Sequence, residues 1–95
     1  MRIDSFEISV KTKRGCWVDG TINDFVFQAK VYDTGSKFGI NGGRISKLLV
    51  WETSKGPAGA FISYDRGWDK KPAAIEQKAL VQALVIFLEQ GGVME

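Results

Sequence analysis

Ninety-five residues, 44% of them hydrophobic and 25% charged, suffice for one domain with a modest core and exclude a disordered chain. The net charge of +2, from 13 basic and 11 acidic residues, lacks the heavy basic excess of a dedicated nucleic-acid binder. The absence of histidine and the single cysteine, Cys16, remove the commonest general base, any histidine-dependent triad and an intramolecular disulfide.

The first residues lead into an alternating stretch rather than an apolar run, so no secretory signal is expected. The longest nearly apolar run, residues 79–88, is too short to cross a bilayer. With a lone cysteine, these features predict a soluble cytoplasmic protein with no membrane partner.

Phe6, Ile8 and Val10 alternate with Glu7 and Ser9, the period of a half-buried strand, predicted over residues 3–11. Residues 11–15 read as the connection to a second strand, 16–22. Asn23-Asp24 reads as a two-residue turn into a third strand, 25–32. There Phe25, Phe27, Ala29 and Val31 are the expected core face, and Val26, Gln28, Lys30 and Tyr32 the other. Residues 33–43 hold four glycines, which imply positive φ or close backbone approach. A fourth strand over 44–53 carries Ile45, Leu49 and Trp51 on one face and Leu48 and Val50 on the other, the pattern of a central strand covered twice. Residues 54–59 are a loop, and 60–64 a fifth strand.

A C-terminal helix is predicted over residues 72–90, with Leu80, Ala83, Leu84, Phe87 and Leu88 in one arc. Asp69 is the expected N-cap, Pro72 stands in the first turn, and Gly91-Gly92 is the expected left-handed stop. Ile75, Val85 and Ile86 widen the apolar stripe, which either a homodimer through the helix or covering by neighbouring loops would account for. Strands followed by a helix, without a βαβ pattern, predict an α+β fold: a five-stranded, mainly antiparallel meander with the helix on one face.

Sites are sparse. The acids Asp19, Asp24, Asp33, Asp65 and Asp69 show no metal-loop spacing, and no metal, cofactor or catalytic residue is expected. Cys16 lies near Lys13 and Arg14, which could activate a thiol, but a half-buried strand residue is the simpler reading. The glycine-rich stretch leads to a strand rather than a helix, unlike a phosphate loop. Trp68, among Arg66, Lys70 and Lys71, together with Phe38 and Arg44, supplies the residue types that anchor protein interfaces. Lys70 and Lys71 at the predicted helix start oppose the macrodipole, which an anion docked there would relieve. Two readings follow: a non-enzymatic protein-interaction module anchored by Trp68, Phe38 and Arg44, or nucleic-acid binding by Arg66, Lys70 and Lys71 with Lys13 and Arg14.

The stretches Trp17-Val18-Asp19-Gly20-Thr21-Ile22, Phe27-Gln28-Ala29-Lys30-Val31-Tyr32-Asp33 and Gly35-Ser36-Lys37-Phe38-Gly39-Ile40-Asn41-Gly42-Gly43-Arg44-Ile45-Ser46-Lys47-Leu48 resemble a family of small uncharacterised proteins from Gram-positive bacteria and their phages. That resemblance implies no assigned activity, and a setting in which inhibitors or regulators of host proteins are common. The last third, with Gly67, Lys70, Lys71 and Ala73 before an Ala/Leu-rich helix, is similar to the end of a double-stranded-RNA-binding domain. In that family, lysines at a helix start contact phosphates. The family's opening helix is missing here, the strands number five rather than three, and Pro72 is atypical.

Overall fold

Alternating side chains build a sheet in which each strand pairs antiparallel with its neighbours in sequence. The computed structural model describes residues 2–90. Its elements are β1 (Arg2–Ile3), β2 (Phe6–Arg14), β3 (Trp17–Ile22), β4 (Phe25–Val31), β5 (Ile45–Glu52), β6 (Ile62–Asp65), β7 (Trp68–Lys70) and the helix α1 (Ile75–Glu89). The strands lie in chain order, β1 to β7. The fold is therefore α+β, with one C-terminal helix on an antiparallel sheet.

One face of the sheet is dry. Ile8, Val18, Ile22, Phe27, Ala29, Leu48, Val50 and Ile62 are fully buried there against Leu84 and Leu88 of α1. Leu80, Ala83 and Phe87 extend the buried stripe of the helix at the i, i+3, i+4, i+7 spacing expected of it, and Val81 beside them is buried too. Phe27 fills the centre because Gly20 opposes it in the register. A Cβ at Gly20 would collide with the Ser9 carbonyl and stand 2.8 Å from the Phe27 ring.

The sheet has seven strands rather than the expected five. The first predicted strand breaks at Asp4, whose φ of 53° turns the chain, so Arg2–Ile3 folds back onto Phe6 and Glu7. The seventh strand comes from the stretch assigned to the helix approach. Arg66-Gly67 forms a hairpin closed by the Asp65 N–H on the Gly67 carbonyl (2.8 Å), and Trp68 pairs with Tyr64 and Lys70 with Ser63. The connection placed at residues 11–15 is mostly strand: β2 runs to Arg14, opposite Trp17. The Asn23-Asp24 turn stands, with Ile22 opposite Phe25.

Strand pairing also overturns the lysine-led helix start. Pro72 biases Lys71 towards extended backbone, and α1 begins only at Ile75. Its N-cap is Ala74 and its first-turn charge is Glu76, so Lys70 and Lys71 do not oppose the macrodipole and Asp69 caps nothing. Instead Gln77 Oε1, at the third helical position, accepts from the N–H of Ala73, the residue before the N-cap (2.9 Å). The predicted stop at Gly91-Gly92 lies outside the described residues.

The fourth predicted strand is central, but its faces are assigned differently. Pairing shifts between Lys30 and Val31, so that Val31 meets Ile45 and Lys30 meets Lys47. This bulge puts Ile45 into the core with Leu48 and Val50 and leaves Lys47, Leu49 and Trp51 on the far side. The one α-helix among the described residues covers the other face; Trp51 is buried on the far side all the same, and the 3-10 turn Pro57–Gly59 packs on β5, so the far face is open only towards Trp17 and Lys47. Among the described residues no helix is long and apolar enough to cross a membrane.

Candidate functional site

The uncovered face carries the unusual chemistry. Arg14 stands opposite Trp17, Trp17 opposite Lys30, Lys30 opposite Lys47 and Lys47 opposite Asp65. These five residues form one row across five strands, about 19 Å long at the usual strand spacing. The Lys30 and Lys47 ammoniums lie 5.5 and 5.8 Å from the Trp17 ring centroid, and Lys30 is also 5.3 Å from the Tyr32 ring. Trp17, Lys30 and Lys47 are half-buried and Tyr32 is exposed. A hydrogen bond with the Tyr32 side chain, then the charge of the ionised phenol, raises the pKa of Lys30, while partial burial and, less so, Arg66 oppose the rise.

Arg66 reaches this end of the sheet from an uncommon backbone. Its φ is 57°, rare for a residue with a Cβ, and its N–H donates to the Ser46 carbonyl (2.9 Å). Asp65 is 3.9 Å from Lys47 Nζ and 3.6 Å from Arg66 Nε. The next row is quieter: Asp19 accepts from Thr12 (3.2 Å) and Gln28 (3.0 Å).

Arg44, expected as an exposed anchor, has a structural post instead. Its Nη2 donates to the Leu88 and Glu89 carbonyls, both at 2.9 Å, groups left open at a helix C-terminus. Its backbone N–H donates to Glu89 Oε2 (2.7 Å), and its Nε lies 3.4 Å from Oε1. A cation there also complements the macrodipole. Gly43 makes the approach possible, because a Cβ on it would meet the Glu89 carboxylate.

Trp68 and Phe38 meet at Tyr64 rather than at Arg44. Trp68, half-buried in β7, packs edge-on against Tyr64 at 4.9 Å, and the Tyr64 hydroxyl donates to the Phe38 carbonyl (2.7 Å). The Phe38 ring is 49% exposed. Beside Trp68, a cavity of about 430 Å³ is lined by Ile40, Pro72, Val81, Val85 and Ile86. Near the start of α1 a wider groove of about 780 Å³ runs between Phe6, Phe25, Phe61 and the 82% exposed Ile75.

The five cations grouped from sequence as an anion site divide. Arg14 and Arg66 belong to the uncovered end of the sheet. Lys13 opposes Val18 and lines a pocket with Cys16 and Arg44. Lys70 donates to the Ala60 carbonyl (3.1 Å), and Lys71 is exposed between β7 and α1. Lys30, Lys47, Trp17 and Tyr32 were absent from the expected site residues. Their shared row follows from cross-strand register, although Lys30 and Tyr32 were already legible as one strand face.

No curated protein and no solved structure matches the chain. Residues 16–89, from the turn before β3 to the last residue of α1, match the family described as a domain of unknown function, DUF7678, and the chain belongs to that family.

Proposed function

We propose that this domain is a non-enzymatic binding module whose contact surface is the uncovered face of the sheet around Trp17. The row Arg14, Trp17, Lys30, Lys47 carries this reading: tryptophan and arginine are the types that dominate binding energy at interfaces, and here they share one face with no helix over it. The module's setting, a phage or bacterial regulator of a cytoplasmic host factor, rests on the sequence resemblance and the lone cysteine.

Capture from bacterial lysate, with and without nuclease, tests the surface using Trp17→Ala and Trp68→Ala side by side. Loss of a discrete bound macromolecule in Trp17→Ala alone supports the uncovered face. Loss in Trp68→Ala alone moves the contact to the Trp68–Phe38 region, a second reading favoured by the half-exposed Phe38 ring.

A further inference from the structure

Lys30 and Lys47 stand directly opposite each other in the register. Like charges so placed destabilise a sheet, and a solvated face offers many neutral alternatives. Both ammoniums are drawn to one indole ring, and Arg66 brings a further positive charge to this end of the sheet, 3.6 Å from Asp65. The single carboxylate of the row, Asp65, lies at 3.9 Å from Lys47 and is shared with Arg66. Four cations gather at this end of the face, with Asp65 and Asp69 lining the pocket beside Trp17 and Lys47 and Asp19 held by Gln28 in the next row. Lysine is depleted at the centres of protein–protein interfaces, whereas aromatic rings set among cations on an open surface are the composition of single-strand binding platforms.

We infer that the uncovered face binds single-stranded nucleic acid, with a base stacked on Trp17 and phosphates taken by Arg14, Lys30, Lys47 and Arg66. This rests on the uncovered face being the contact surface. Cation–π contacts at exposed sites are weak, so an arriving base displaces the ammoniums from the ring and leaves them at its edge, where the backbone phosphates pass. Tyr32, beside Lys30, offers a second ring. A duplex keeps its bases stacked and paired, so Trp17 discriminates against it. Stacking and phosphate pairing ignore the sugar, and DNA and RNA strands are both accepted.

Fluorescence anisotropy with labelled oligo(dT) and oligo(U) of about 15 nucleotides, a typical single-strand site size, tests the inference. Binding is expected to weaken with salt at a log–log slope of about −2 to −3, as about three to four phosphate contacts require. The double variant Lys30→Gln, Lys47→Gln should flatten that slope by about 1.4. Trp17→Ala should bind at least about fivefold more weakly, the lower bound for one base stack, and Trp17→Phe should recover part of the loss. Thermal melts of each variant confirm that the fold persists. Equal affinity for duplex DNA or poly-glutamate, or affinity indifferent to Trp17, overturns the inference. Silence with both oligonucleotides at low salt overturns it as well, while Trp17-dependent capture from lysate would leave the binding-module reading standing.

Discussion

The two faces of the same strands obey different rules. Towards α1, Val18, Ile22, Phe27, Leu48, Val50 and Ile62 are fully buried, and each is chosen by size and hydrophobicity. Removing apolar area from water contributes roughly 25 cal/mol per Å², so composition there reports stability. Around Lys30 and Lys47 on the uncovered face, many solvated side chains would serve. The opposed lysines are choices that stability does not require, and the arginine in a left-handed backbone is one it does not favour. Arg44 and Arg66 show the contrast within one residue type: the first closes a helix end, while the second brings charge to a face already rich in it.

The largest effect should come from the dry face. Phe27→Ala is expected to cost about 3–5 kcal/mol, a large part of the ~5–15 kcal/mol available to a domain, read as a shift in urea midpoint. A cost below about 1 kcal/mol would break the assignment of faces. Arg44→Ala should cost about 1.5–3 kcal/mol, the range for hydrogen bonds to charged groups. Arg44→Lys should recover only part of it, because one ammonium cannot reproduce the guanidinium fork. Helical circular dichroism during a melt would report both.

On the uncovered face the sign changes. Lys47→Thr relieves the opposed charges and supplies a strand-favouring residue, so the melting temperature should hold or rise while oligonucleotide affinity falls. A loss of stability comparable to that of Arg44→Ala would erase the distinction between the faces. The smallest effect concerns pH. Lys30 is held above its ordinary value of 10.5, first by its hydrogen bond with Tyr32. A base raised on folding lends stability that is fully present below its unfolded value and lost as pH climbs through the folded one. Urea midpoints should therefore fall on the alkaline side of 10.5, with Tyr32→Phe reducing that extra decline. An identical decline in both proteins would remove Tyr32 from the account.

The sequence made the fold class, the β3–β4 turn and the buried arc of α1 readable, because each depends on periodicity within a short segment. The failures share a physical cause. Whether residues 68–70 form a strand depends on the free edge of β6, which local pattern does not display. Alternation alone puts Ile45 on the wrong face, because the bulge opposite Val31 resets it. Arg44 looks exposed in sequence because its partner, Glu89, is 45 positions away. Lys30 and Lys47 looked like ordinary solvated residues until register placed them side by side.

The nearest-neighbour order of the strands also shapes how the chain reaches this structure. Each hairpin can close before the next one forms, so loop entropy is spent in short increments rather than in one long-range step. The docking of α1 is the exception, since it must meet β2 and β5 across most of the chain. Arg44 and Glu89 latch that final event: the sheet can assemble by local zippering, and commitment to the native state waits for the helix to seal it.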